Sequence, residues 1–220
     1  MLLIWNNKKN YRSCILFEVK YCFKEVNDLF VPIEDIMSTF RGFIAIDIKT
    51  TPQITMFEKE IAKTGADVKL VEPENIHITV KFLGDTDETY IDVIEQSIKE
   101  SVLSIKPFLI TLEGTGVFPN QNYIKVIWIG ITDNGNIETI ARAIDEKLKP
   151  LGFKKERRGF SPHLTVGRVK TARNKDQLLK VIGNYNTVEF TIQNIQSITL
   201  KKSELTPNGP IYTTLREVLL

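Results

Sequence analysis

The chain contains two histidines, and both lie in the same short pattern of histidine, any residue, threonine and valine. The two copies are His77-Ile78-Thr79 and His163-Leu164-Thr165. Imidazole is the side chain whose unperturbed pKa, about 6.5, lets it accept or release a proton near neutral pH. Packing alone gives no reason for a threonine two residues after each histidine. The pattern therefore predicts an acid/base site built from two histidines.

Each motif offers a proton-transfer group beside a hydroxyl donor, because residues two apart on a strand project from the same face. Two copies that face each other would surround a small anion, and a phosphodiester suits this arrangement. One imidazole acts as a general base on the attacking water, and the other acts as a general acid on the departing oxygen. Thr79 and Thr165 would donate hydrogen bonds to the non-bridging oxygens, whose charge rises in the transition state. The scheme requires neither a metal ion nor a cofactor.

Two other interpretations of the histidines are weaker. A single histidine on a half-buried strand is more often a packed core residue, but two in the same motif reverse that preference. A catalytic zinc site normally has three protein ligands, and this chain has two histidines with no cysteine near them. A carboxylate would have to complete such a site. Asp85, the nearest acid after His77, is better explained as the N-cap of the next helix.

The hydrophobic periodicity predicts a mixed chain of class α+β with mostly antiparallel strands. The predicted strands are 40–48, 68–71, 75–83, 108–117, 123–131, a strand holding His163, 188–192, 195–202 and a last strand after the 205–212 tail. The predicted helices are 52–63, one capped by Asp85 that ends near 102, 137–148 and 173–182. A weak internal repeat would put one motif in each half, so that the histidines meet across a cleft.

Alternation of side chains predicts which residues of the two motif strands share a face. On the first strand, His77, Thr79 and Lys81 share the functional face, and Ile76, Ile78, Val80 and Phe82 face the core. On the second, His163, Thr165 and Gly167 share one face, and Leu164 and Val166 share the other. Lys81 would therefore add positive charge at the cleft or point away to solvent.

The composition is that of an ordinary soluble globular protein, with 220 residues, 42% hydrophobic and 25% charged. The net charge is only +2, so any affinity for nucleic acid must come from a local patch. The interval 149–175 is a candidate, because Glu156 is its only acidic residue. Its basic residues are Lys149, Lys154, Lys155, Arg157, Arg158, Arg168, Lys170, Arg173 and Lys175. A solvated basic face explains most of them equally well.

The first residues differ from the rest of the chain and contain both cysteines, Cys14 and Cys22, in no metal-ligand spacing. We interpret 1–36 as an N-terminal extension, either a non-native start or a poorly ordered appendage, and 37–220 as one domain of two lobes. The alternative is a real strand around Cys14 to Tyr21. The cysteine usage and the lack of a run of about 18 apolar residues favour a cytoplasmic protein with no membrane span.

The motifs and their surroundings resemble the 2H phosphoesterases, a family with two H-x-T motifs in similar halves of a bilobal fold. Within it, the chain resembles the RNA 2',3'-cyclic phosphodiesterases, once called 2'-5' RNA ligases. The resemblance runs from about residue 37 to the end. The segments that carry it are 40–46, 77–84, 116–119, 126–130, 160–168 and the 205–212 tail.

The resemblance implies a bilobal, pseudo-symmetric α+β fold, with two antiparallel sheets around a central cleft and helices outside. It implies that a terminal 2',3'-cyclic phosphate on RNA is opened to a 2'-phosphomonoester. His77 would be the proton donor to the 3' oxygen and His163 the proton acceptor from water, and Arg168 would bind phosphate. The expected partner is an RNA end, tRNA-like or a short oligonucleotide, and a monomer suffices because one chain supplies both motifs.

Several alternatives stay open from the sequence. Phe43 and Phe118 would stack a nucleobase, or would simply be core residues. The same two histidines could join RNA ends without ATP by the reverse reaction, although water at high concentration favours hydrolysis. A non-catalytic module that binds RNA ends is the third interpretation, and two imidazoles argue against it because arginines would suffice for binding.

Overall fold

The computed structural model describes residues 38–155, 160–207 and 209–220, together with three short strands nearer the N-terminus. These strands are β1 (Tyr11–Arg12), β2 (Tyr21–Lys24) and β3 (Val31–Pro32), which pair in that order. The remainder of the predicted extension 1–36, including the proposed strand around Cys14, lies outside the described residues. So do Arg157 and Arg158 of the basic interval.

The described residues from Thr39 onward form nine strands and four helices, which confirms the α+β class. The strands are β4 (Thr39–Asp47), β5 (Val68–Leu70), β6 (His77–Asp87), β7 (Phe108–Asn120), β8 (Tyr123–Thr132), β9 (His163–Val169), β10 (Glu189–Ile195), β11 (Ser197–Thr206) and β12 (Gly209–Leu219). The helices are α1 (Pro52–Lys63), α2 (Ile91–Val102), α3 (Asn136–Leu148) and α4 (Lys175–Asn184). None of these described helices is both long and apolar enough to cross a membrane.

The strands form one curled antiparallel sheet in the order β10-β7-β8-β9-β6-β4-β11-β12, with β5 paired to β9. The motif strands β9 and β6 are its central pair, and three further strands follow on each side. The two sheets implied by the resemblance are thus the halves of a single sheet. They join where Ile78 of β6 pairs with Leu164 of β9.

The helices bury their apolar stripes against one face of this sheet and leave the other face open. On α1 the buried residues include Ile54, Phe57 and Ile61, and Thr51 Oγ1 caps the helix by accepting from the Ile54 amide. Helix α3 packs on β6 and α2, whereas α1 packs on α4 and β10. Helix α3, which connects β8 and β9, thus covers β6, and α1, which follows β4, covers β10. The two halves share one core.

A β-bulge follows each motif and changes the alternation that the sequence predicts. The pairing of β4 with β6 passes from Ala45–Thr79 to Ile44–Lys81, so Val80 is the extra residue. The pairing of β8 with β9 passes from Trp128–Thr165 to Ile127–Gly167, so Val166 is the extra residue. In both strands the bulge lies three residues after the histidine, and it shifts the residues that follow to the opposite face. On β6 a second bulge at Leu83 restores the original alternation before Gly84.

The bulge after Thr79 makes two predictions about β6 wrong. Lys81 does not share the face of His77 but turns to the helix side, where it is 7% exposed and forms an ion pair with Asp145. Phe82, predicted to be core, is instead 68% exposed. On β9 the same shift turns Gly167 away and brings Arg168 to the histidine face.

The predicted helix cap at Asp85 is also wrong, because β6 continues through that residue to Asp87. Asp87 Oδ1 accepts a hydrogen bond of 2.8 Å from the Thr89 amide and starts a short 3₁₀ turn that leads into α2. The sequence pattern offered two aspartates two residues apart, and the length of the strand selects the second.

Among the described residues, β9 divides the basic interval into two groups along the chain. Lys149, Lys154 and Lys155 precede β9, and Lys170, Arg173 and Lys175 follow it. β9, seven residues and about 23 Å long, lies between these groups along the chain. Lys155 is moreover paired with Glu146. Arg168, within β9, is the described member that lies on the histidine face.

Candidate active site

The two motifs meet at the centre of the sheet. Because Ile78 pairs with Leu164 in antiparallel register, His77 lies opposite Thr165 and Thr79 lies opposite His163. Ile78 and Leu164 are fully buried on the helix side, so the four motif side chains share the open face. Diagonal neighbours of this kind are separated by about 7–8 Å. The motifs are therefore related by a local two-fold axis through the Ile78–Leu164 pair.

Both imidazole rings are held in the same way. His77 Nδ1 donates to the Asn75 carbonyl at 2.7 Å, and His163 Nδ1 donates to the Ser161 carbonyl at 2.8 Å. A carbonyl can only accept, so Nδ1 carries a proton and the neutral ring keeps its acceptor at Nε2. His77 Nε2 lies 3.1 Å from Thr79 Oγ1. Each ring thus presents Nε2 for proton transfer.

His77 lies in an aromatic and charged environment. Its ring centroid is 4.9 Å from that of Phe43 and 5.2 Å from that of Tyr212, which meets it edge-on. Burial lowers the pKa of His77 below its usual value; the Asn75 carbonyl and the carboxylate of Asp47 oppose this shift. The positive charges of Lys201 and Arg168 lower the same pKa further. In the free protein these effects together favour the neutral ring.

His163 is supported by a second aromatic group. Phe118 meets the His163 ring edge-on at 5.0 Å, and Trp128 lies 5.3 Å from Phe118. Trp128 packs flat over Gly116, where a Cβ would lie 2.2 Å from the indole ring. The buried Trp128 Nε1 has no hydrogen-bond partner among the described residues. Trp128 and Phe118 thus support the His163 ring on the side that faces away from β6.

The predicted aromatic residues have different surroundings. Phe43 is 4% exposed and packs against both His77 and Tyr212, so it leaves no free face for a nucleobase. Its predicted stacking role is therefore corrected to support of His77. Phe118 is half-buried beside His163. Phe82, which the first bulge brings to the open face, is the strongly exposed ring near the motifs.

Three residues near His77 were not predicted as site residues. Asp47 lies directly opposite His77 on β4 and forms an ion pair of 2.9 Å with Lys201 of β11. Tyr212 comes from β12, the last strand. The only sequence signal for Tyr212 was its place in the 205–212 tail, because its distance of more than a hundred residues from His77 hides the contact. Within the described part of the chain, no three His, Cys, Asp or Glu side chains are grouped to hold a metal ion.

A family model described as the 2'-5' RNA ligase superfamily matches residues 38–204 of the chain. A protein of Methanocaldococcus jannaschii named RNA 2',3'-cyclic phosphodiesterase is 49% identical over 179 residues, which are 80% of this chain and 99% of that protein. A protein of the same name from Methanothermobacter thermautotrophicus is 40% identical over 177 residues, 80% of this chain and 96% of that protein.

Solved structures share the fold at lower identity. A Thermus thermophilus protein superposes with a TM-score of 0.66 at 24% identity, covering 82% of this chain and 97% of its own. Escherichia coli LigT, crystallised with 3'-AMP, superposes with a TM-score of 0.63 at 20% identity, covering 83% of this chain and 99% of its own. This chain therefore shares its overall fold with these proteins.

Proposed function

The chain belongs to the 2'-5' RNA ligase superfamily, and on that premise we propose that it is an RNA 2',3'-cyclic phosphodiesterase. It opens a terminal 2',3'-cyclic phosphate to a 2'-phosphomonoester. The observation that supports this most directly is the local two-fold arrangement of the motifs, because it places two imidazoles and two hydroxyls on one open face. A phosphodiester bound between them meets a proton acceptor on one side and a proton donor on the other.

In the proposed reaction, His163 Nε2 accepts a proton from water while the water oxygen forms a bond to phosphorus. The bond from phosphorus to the 3' oxygen breaks, and His77 Nε2–H gives its proton to that oxygen. The hydrogen bond from Nδ1–H to a backbone carbonyl orients each ring. The same bond stabilises the imidazolium form. Thr79, Thr165 and Arg168 bind the non-bridging oxygens, whose negative charge increases in the transition state.

The donor role of His77 requires the substrate. The pKa of this ring is lowered in the free protein, which favours the neutral form. A phosphodiester anion beside the ring stabilises the imidazolium and raises the pKa. His77 therefore becomes a better proton donor when the cleft is occupied.

Phe82 replaces Phe43 as the proposed contact for a nucleobase. Its exposed ring forms part of the wall of a cavity of about 490 Å³, which Tyr90 and Phe153 also line. An aromatic face of this kind stacks any base without selecting its sequence. The reverse reaction, ligation through a 2'-5' linkage, would use the same groups and is disfavoured by water.

The first test is the reaction itself. Purified protein is incubated with a chelator and an oligonucleotide that ends in a 2',3'-cyclic phosphate, and the product is identified by mass and by phosphatase sensitivity. His77→Ala and His163→Ala are each expected to lower kcat by about 10²- to 10⁴-fold. Circular dichroism and thermal unfolding verify that both variants fold. Wild-type turnover in either folded variant contradicts the proposal.

A substrate with sulfur in place of the 3' oxygen separates the two histidine roles. A thiolate leaves without protonation, so His77→Ala should recover most of its activity on this substrate. His163→Ala should lose as much as before, because the attacking water still needs a base. The opposite pattern would assign the roles the other way round.

A further inference from the structure

The end of the cleft next to His77 carries a group of donors that hydrolysis of the cyclic phosphate does not account for. Arg41 of β4 lies opposite Ser203 of β11, and Ser203 lies opposite Tyr212 of β12. Paired residues share a face, so Arg41 and Tyr212 lie on the same open face as Phe43 and His77. Two strand spacings, about 10 Å, separate their backbones, a distance that an arginine side chain can span.

The tip of the β11–β12 hairpin contacts residues that adjoin the motif strands near Arg168. Asn75 Nδ2 donates to the Pro210 carbonyl at 3.2 Å. Lys69 Nζ lies against the hairpin tip, since a Cβ at Gly209 would be 2.8 Å from it. Lys69 is the neighbour of Arg168 across β5 and β9. Lys69 of β5, the cross-strand neighbour of Arg168, therefore contacts the hairpin that carries Tyr212.

The two guanidinium groups are available for a ligand. Arg41 and Arg168 are both exposed, and neither has an ion-pair or hydrogen-bond partner among the described residues. Asp85 lies opposite Arg41 in the register but forms no ion pair with it. Both positive charges act on the Tyr212 hydroxyl, whose pKa burial raises and the two arginines lower. Two forked cations and a hydroxyl match the oxygens of a phosphate group.

Phe82 occupies on β6 the position that Arg168 occupies on β9. Phe82 and Arg168 are each five residues after the motif histidine, and each follows the bulge. After the first bulge, one central strand therefore presents an apolar ring on the open face and the other presents a cation. This difference makes the two equivalent positions of the otherwise symmetric cleft chemically distinct.

We propose that Arg41, Tyr212 and Arg168 form a second phosphate site, which holds the phosphate on the 5' side of the terminal nucleotide. This inference rests on the proposed function and specifies its substrate class. Arg168 would serve both sites, since its charge acts on both His77 and Tyr212. The RNA chain then leaves the cleft over β4, β11 and β12, and RNA ends are better substrates than cyclic mononucleotides.

The test compares two compounds that differ by one phosphate: uridine 2',3'-cyclic phosphate and the same nucleotide with an added 5'-phosphate. The wild-type protein should have a kcat/KM about tenfold higher for the second compound, as expected for a solvent-exposed charge-assisted contact. Arg41→Gln should remove most of this preference, and Arg41→Lys should retain part of it, because lysine keeps the charge but not the fork.

Arg142→Gln is the matched control, because it removes the same charge from an exposed position on α3. It should leave the preference at its wild-type value. Equal kcat/KM for the two compounds in the wild type, or an equal loss on both in Arg41→Gln, overturns the second site.

A binding measurement separates this inference from the proposed function. The same two compounds are titrated calorimetrically into His163→Ala, or into the wild type if it hydrolyses neither. Absence of hydrolysis in the wild type contradicts the proposed function alone. Tighter binding of the 5'-phosphorylated compound, lost in Arg41→Gln, supports the second site in either case, and equal affinities reject it.

Discussion

The catalytic rings are oriented by the backbone rather than by a carboxylate. Each Nδ1–H donates to the carbonyl two residues earlier, so the motif strand itself fixes the ring whose chemistry it carries. The charged neighbours of His77 then adjust its proton affinity. Asp47 favours the imidazolium, whereas Lys201 and Arg168 disfavour it. Because these charges act on the pKa of His77 in opposite directions, removing a charge of each sign should shift that pKa in opposite directions.

We expect Arg168→Gln to raise the pKa of His77, because a positive charge that disfavours the imidazolium is removed. Asp47→Asn should lower the same pKa, because a stabilising negative charge is lost. The two imidazole signals of the chain can be followed by NMR titration and assigned with His163→Ala. If His77 is the proton donor, the alkaline limb of kcat/KM moves in the same direction as its pKa. Shifts of the same sign in both variants contradict this electrostatic description.

At the scale of elements, close packing of neighbouring strands decides where the histidines lie. The bulges at Val80 and Val166 reorient the second half of each motif strand. On β7 and β8, Gly116 leaves room for the Trp128 ring, which holds Phe118 against His163. A side chain at position 116 would therefore displace the stack that supports the catalytic ring.

Gly116→Ala should destabilise the protein by about 1–3 kcal/mol through overpacking and should lower kcat with the displacement of His163. The matched control is Gly183→Ala in α4, where a Cβ meets nothing within 4 Å. That variant should be more stable by about 0.5–1 kcal/mol, because alanine favours the helix, and should keep its activity. Denaturant unfolding and steady-state kinetics measure both. A neutral Gly116→Ala would show that the stack is not tightly constrained.

At the scale of the whole molecule, the two halves are joined by more than the central strand pair. Lys81 of β6 forms an ion pair with Asp145 of α3 and also donates to the Lys154 carbonyl at 2.8 Å. The lysine side chain is 5% exposed and the aspartate side chain 13% exposed. This pair links the first motif strand to the helix that precedes the second motif strand.

Lys81→Met should lower the free energy of unfolding by about 3–5 kcal/mol, because it leaves the carboxylate of Asp145 buried without its partner. The double variant Lys81→Met/Asp145→Leu should recover most of this loss, since no uncompensated charge remains. Guanidinium unfolding of the wild type, the single variant and the double variant gives the comparison. A single variant as stable as the wild type would mean that the pair is solvated and contributes little.

The sequence by itself determined the chemistry and the class of fold. Two H-x-T motifs in a chain with two histidines indicated paired proton transfer, and hydrophobic periodicity indicated the four helices and most strands, with ends within a few residues. These features are local: a residue's type and its spacing from near neighbours are sufficient to define them. The roles assigned to His77 and His163 remain predictions that the proposed assays test.

Only the tertiary structure decided the faces of Lys81, Phe82 and Arg168 and the place of Tyr212 beside His77. A bulge exists because of the strand that pairs with it, so no pattern within β6 or β9 records the change of face. Tyr212 reaches His77 because a hairpin at the end of the chain curls back over the first motif. Cross-strand register and curvature arise from contacts between distant segments, which local periodicity does not encode.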